Sequence, residues 1–164
     1  MAKVRDVAHF FIDLATRQNN AEMGDLMTNL RLQKLLYFAQ GWDLARFGRP
    51  LFDAQLNAWD FGPVVPEIYH EYKTNGRCGI SETFDLPQDA FTPSELELLL
   101  DVVREYADRS TSALVTLSHK PDAPWSHTSK YAVIPQSSIQ EYFTNSIPLS
   151  SFDDILDDYP VEVL

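Results

Sequence analysis

Cys78 is the sole cysteine in a chain of 164 residues, and with His70 it offers a nucleophile and a base. It lies between Gly76 and Gly79 with no flanking signature of a cysteine hydrolase, so its context reads as an ordinary turn. His119, Asp122 and His127 carry metal-ligating atoms. Their spacing, H-x-x-D-x-x-x-x-H across a proline-bearing loop, does not stack two ligands on one helical face as H-E-x-x-H does. Gly62, inside Phe61–Gly62–Pro63, lacks the partner glycines of a phosphate-cradling loop. Asp153–Asp154 and Asp157–Asp158 are adjacent carboxylates, which alone do not make a general acid–base pair. Interleaved with Ile155, Leu156 and Tyr159, they read as an acidic, apolar segment able to lie in a basic, apolar groove of a partner. No catalytic, metal-binding or cofactor-binding residue is assigned, and the chain reads as a binding protein, not an enzyme.

Charge narrows the class of partner. The formal net charge is −11, with 13 Lys and Arg against 24 Asp and Glu. Two basic residues never stand side by side, so the clustered cations that neutralise phosphates are missing and direct nucleic-acid binding is not expected. The same excess suits a basic protein partner, because complementary fields speed encounter. No apolar run approaches the roughly 20 residues that span a bilayer, so no membrane role is expected. The N-terminal residues carry Asp6 and Asp13 within an amphipathic pattern, which reads as a first helix and not a signal peptide. With no cysteine pair available for an internal disulfide, the expectation is a cytoplasmic protein.

The elements that position these residues follow from periodicity. Val4, Val7, Phe11 and Ala15, widened by Ala8 and Ile12, predict a helix over 3–18, with Asn19–Asn20 as its stop and Met23–Gly24–Asp25 as a link. Thr28 or Asn29 caps a second helix running to Phe47, where Gly48 suits the left-handed exit and Pro50 blocks continuation. Leu32, Leu35, Leu36, Ala39 and Trp42 recur at helical spacing, while Tyr37, Phe38, Leu44 and Phe47 cover other faces. A helix apolar all round has to be surrounded by protein, so this one is central. Gly41 inside it costs about 1 kcal/mol against alanine, which a close helix crossing would explain.

Leu56–Ala58 predicts a short strand, and Trp59 with Phe61 anchors the turn that follows. Gly62, Pro63 and Pro66 stiffen this turn, and Pro66 opens a helix over 65–75 with Glu67 near its positive end. Ile80 and Phe84 suggest edge-strand residues. Thr92–Pro93–Ser94–Glu95 is a capping box, with Leu96, Leu99, Leu100 and Val103 as the buried stripe behind it. Ser110 or Thr111 caps a short helix whose end His119 covers through its ring, with Trp125 packed behind. Pro135 opens a last helix with Ile139, Tyr142 and Phe143 inward. The expected fold is mainly α: one compact domain over 1–147 of about six helices around a buried central helix, with two or three short strands around Leu56 and Ile80. Residues 148–164 are expected to form an acidic tail or docking segment.

Three blocks of sequence carry a resemblance. Leu32–Trp42 (L-Q-K-L-L-Y-F-A-Q-G-W), Gly48–Phe52 (G-R-P-L-F) and Ala58–Tyr69 (A-W-D-F-G-P-V-V-P-E-I-Y) resemble the Panacea domain of small helical bacterial and phage proteins, the SocA-like and GepA-like antitoxins. Leu114 through His119, followed by Pro124–Trp125, is similar to that family's weaker second block. The resemblance implies an antitoxin that neutralises a co-encoded protein toxin by direct binding. The alternative is an adaptor presenting a toxin or other partner to a cellular protease. Leu32, Leu35, Leu36, Tyr37, Trp42, Trp59, Gly62, Pro63, Pro66, His119 and Trp125 are then scaffold. Asp60, Glu67 and Glu71, beside the rigid turn, are the first candidates for partner contact. Asp153, Asp154, Asp157 and Asp158 are the second.

Overall fold

A computed structural model describes residues 1–18 and 25–146. The expected stop at Asn19–Asn20, the Met23–Gly24 part of the first link and the acidic tail lie outside them. The described helices are α1 (Val4–Arg17), α2 (Asn29–Phe47), α3 (Pro66–Tyr72), α4 (Pro93–Tyr106), α5 (Thr111–Ser118) and α6 (Gln136–Ser146). Strands β1 (Asn57–Trp59) and β2 (Gly62–Val64) form the two-stranded antiparallel sheet. Single 3-10 turns follow α3 at Lys73–Asn75 and precede the last helix at Pro124–His127.

Local chemistry starts α2, α4 and α5, and ends α2, where the sequence predicts. The Thr28 hydroxyl accepts the backbone N–H of Arg31 at 3.2 Å, and Gly48 closes α2 in the left-handed region at φ 68°. Thr92 and Glu95 complete the reciprocal capping box of α4, while Ser110 caps α5 by accepting the Ala113 N–H. Pro66 and Pro93 each occupy a first helical turn, where a missing N–H costs nothing.

All the other helices pack on α2. Every residue from Arg31 to Leu44 is buried, as a helix apolar on all faces requires. Val7, Ala8, Phe11 and Ile12 of α1 and Leu98, Leu99 and Val102 of α4 complete the core with it. Leu96 and Leu100 were expected in the buried stripe of α4, but they are exposed, and Leu98 and Val102 take their places. In an unbroken apolar run, composition does not fix which phase faces inward; packing against α2 does, and it takes Leu98, Leu99 and Val102. Ile80 and Phe84 form no strand. The Ile80 N–H donates to the Met27 carbonyl at 2.7 Å and its side chain is buried; Phe84 stacks on His9 with ring centroids 3.8 Å apart.

Gly41 marks the closest approach in the core. A Cβ built there would collide with the Phe143 ring of α6, so the helix accepts glycine's cost to let the ring lie against its backbone. Phe143 also meets Tyr37 edge-on at 5.2 Å. Replacing Gly41 by alanine raises helix propensity by about 1 kcal/mol yet forces the aromatic ring out of place. We therefore expect Gly41→Ala to destabilise the protein by about 1–3 kcal/mol in urea unfolding. Trimming the ring in Gly41→Ala/Phe143→Leu should cost less than the two single changes added together; strict additivity would mean that the two residues are not in contact.

A candidate partner surface around the proline hairpin

β1 and β2 are joined by the two-residue turn Asp60–Phe61, with Trp59 opposite Gly62, Ala58 opposite Pro63 and Asn57 opposite Val64. Gly62 has φ 114°, a conformation L side chains avoid. A Cβ on it would also come within 2.8 Å of the Ser118 hydroxyl and 2.9 Å of Lys34 Cε. Pro63 is tolerated because its partner Ala58 turns both backbone groups the other way. The Ala58 N–H donates to the Ala132 carbonyl at 2.9 Å, and its carbonyl accepts the Tyr131 N–H at 2.6 Å. The prolines therefore cost no ladder hydrogen bond.

The far edge of β2 is held by side chains of α2 in place of a third strand. The Lys34 amine donates to the Pro63 carbonyl at 2.9 Å, and the Gln33 amide oxygen accepts the Val65 N–H at 2.9 Å. Gln33 also donates to Asn29, which in turn donates to the Tyr69 carbonyl in α3 at 3.0 Å. On the opposite side the Trp125 indole N–H donates to the Trp59 carbonyl at 2.7 Å. The expected role of the His119 ring is corrected here. The backbone N–H of His119, not its ring, caps α5 by bonding the Val115 and Thr116 carbonyls, and the ring stacks on Trp125 at 3.9 Å. Burial, followed by the nearby Lys34, lowers the His119 pKa.

Phe61 does not anchor the turn: it is 67% exposed at the hairpin tip. Beside it runs an open groove of about 880 Å³ walled by Leu30, Trp59, Val64, Tyr69 and Tyr131. Tyr131 is 58% exposed and is the one non-glycine residue with positive φ among those described, at 66°. Holding a tyrosine there costs on the order of 1 kcal/mol or more, met by its N–H bond to Ala58 and by Asn57 Nδ2 donating to its carbonyl at 3.3 Å. Lys73 and Arg77 stand on the rim of this groove. Neither makes an ion pair among the described residues.

Of the acidic candidates, Asp60 lies at this groove, where it pairs with Lys130 at 2.8 Å. Glu67 and Glu71, four apart on α3, share a face that helical periodicity sets opposite the groove-lining Tyr69. Glu71 pairs with Arg5 at 3.3 Å and Glu67 is exposed. Asp153, Asp154, Asp157 and Asp158 lie outside the described residues. Lys34, Gln33 and Tyr131 went unassigned in the sequence, and Phe61 was read as a turn anchor and not as a contact residue. The usable signal for the first two was polar residues at positions 33 and 34 of a helix that has no solvent side.

A buried helix whose polar side chains carry a proline hairpin, closed from outside by a tryptophan, makes this a small helical domain. The chain belongs to the antitoxin SocA-like, Panacea domain family, whose model matches residues 32–126. Antitoxin SocA of Caulobacter vibrioides (strain NA1000 / CB15N) is 34% identical over 134 residues, covering 74% of this chain and 67% of that protein. No solved structure matches the chain.

Burial lowers the Lys34 pKa from 10.5 to about 7. The unfolded chain thus holds a proton on this amine between about pH 7 and 10.5 that the folded chain does not. In that window ∂ΔG/∂pH is positive, so the Lys34 contribution makes the fold more stable as pH rises and is flat below pH 7. Lys34→Met should remove that rise. Urea midpoints at pH 7 and 9.5 test it, and an equal pH slope in both proteins would show that Lys34 remains charged in the fold.

Proposed function

We propose that this chain is an antitoxin that neutralises a protein toxin encoded by an adjacent gene, and that it does so by direct binding through the hairpin surface. Family membership supports the antitoxin role, and the observation that carries the surface is the aromatic pair Phe61 and Tyr131. Both are held exposed on backbone that is otherwise fixed, one at a turn closed by Gly62 and Pro63, the other at positive φ. An isolated exposed apolar residue needs no explanation, but two aromatics flanking one groove on a rigid frame are suited to bury with little loss of freedom. Aromatic side chains at the centre of an interface carry a disproportionate share of affinity.

Acidic groups would supply the long-range part. Asp60 at the groove and Glu67 and Glu71 on the outer face of α3 belong to a chain of net charge −11, which favours encounter with a basic toxin surface. Adding salt should then slow association more than it speeds dissociation.

Co-expression with the neighbouring gene product tests this reading. We expect growth arrest by that product alone, rescue by this chain and co-purification of the two. Phe61→Asp/Tyr131→Asp should weaken the complex at least tenfold and lose the rescue with no fall in the thermal midpoint, because both side chains are exposed and aspartate tolerates the positive φ at 131. Rescue at full strength by the double variant would move the interface elsewhere. A harmless neighbour that forms no complex would remove the neutralising role.

A further inference from the structure

We propose that in the partner-free protein the chain's own C-terminal segment, residues 152–159, occupies the hairpin groove. The proposal goes beyond toxin binding and does not rest on it.

The groove and the segment match in chemistry. The groove is walled by aromatic and aliphatic side chains and rimmed by Lys73 and Arg77. The remaining carboxylate there, Asp60, is already neutralised by Lys130. Neither Lys73 nor Arg77 pairs with a carboxylate among the described residues, so both are open to an acidic occupant of the groove. The segment is the complement. Phe152, Ile155, Leu156 and Tyr159 fall at i, i+3, i+4 and i+7, which is the anchor spacing of a helix that lies in a groove. Asp153, Asp154, Asp157 and Asp158 occupy the flanks, and residues 148–164 contain no Lys or Arg.

Direction and length also agree. Gln140 of α6 lies near Gly48 of α2, and Phe143 lies against Gly41 and Tyr37. Numbers rise on α6 as they fall on α2, so the helices are antiparallel and Ser146 points toward the end of α2 that carries Gln33 and Leu30. Those two residues line the groove. Leu30 lies eleven residues from Gly41, roughly 16 Å along the helix axis. The 18 residues after Ser146 could reach about 60 Å if extended, so the span sets no barrier.

The full chain permits a direct test, because the lone Cys78 is exposed and adjoins Arg77 on the groove rim. A nitroxide on Cys78 should broaden the amide resonances of residues 152–159 by more than half in a 15N-labelled sample, with no toxin present. Lys73→Glu/Arg77→Glu, two exposed changes, should restore those resonances, as should 0.5 M salt in part. No broadening over 152–159, or broadening that survives the double charge reversal, would overturn the proposal. So would equal broadening of a nitroxide-free 15N chain mixed with spin-labelled unenriched chain, since the occupant would then be the segment of a second copy.

Discussion

The fold depends on how α2 hydrogen-bonds irregular backbone from inside the core. A helix buried on every face can be built from leucine alone, but the loops packed around it bring N–H and C=O groups that water cannot reach. Arg31 answers at one end by donating to the carbonyls of Ala107 at 2.9 Å and Arg109 at 2.8 Å, where α4 has ended and its last acceptors are otherwise orphaned. Gln40 accepts the N–H groups of Leu51 and Phe52 and donates to the Phe52 carbonyl, which fixes the chain leaving α2. Gln33 and Lys34 do the same for β2. Each bond is worth only about 1 kcal/mol net, yet losing one leaves a buried backbone group unpaired at a cost of about 1–3 kcal/mol. The asymmetry explains why polar side chains are kept in a helix without a solvent face.

The family match covers the elements these side chains reach. It begins at Leu32 on α2 and ends at Ser126, one residue past the tryptophan that closes the hairpin. α1 and α6 lie outside it, and both meet α2 through apolar contacts: Val7, Phe11 and Ile12 from one, Ile139 and Phe143 from the other. Apolar packing tolerates exchange of shape-equivalent side chains, whereas a backbone carbonyl accepts only a donor at the right place. The arrangement is not complete everywhere. Asp43, on the same helix, has a buried carboxylate oxygen with no hydrogen-bond partner, and burial raises its pKa to about 6.

Much of this was legible in the sequence because it is written in local chemistry. Thr28, Gly48, Thr92 with Glu95 and Ser110 mark helix ends by bonds to residues three or four away, and Pro66 marks one by needing no donor. Gly41 could be read as a crossing because glycine in mid-helix needs a reason. Failures came where the partner is remote in sequence. Lys34 binds a carbonyl 29 residues away and Gln33 an N–H 32 residues away, so neither shows in any window of periodicity. Leu96 and Leu100 were misplaced because a run of leucines has no phase of its own. The expected strand at Ile80 failed because that N–H bonds to a loop, at Met27, and not to an extended neighbour.

The same internal bonding separates rigidity from burial at the hairpin. An exposed turn usually moves because its backbone is free to exchange bonds with water. Here Pro63, Val65, Ala58 and Trp59 have their backbone groups committed to α2, to residues 131–132 and to Trp125, so the turn is fixed from behind while its front stays open. Phe61 and Tyr131 can therefore stand exposed without the frame beneath them collapsing to cover them. A surface of that kind is costly to leave wet, since each aromatic keeps a large apolar area in contact with water. Burying that area on contact would therefore be favourable, with little ordering left to do in the frame behind it.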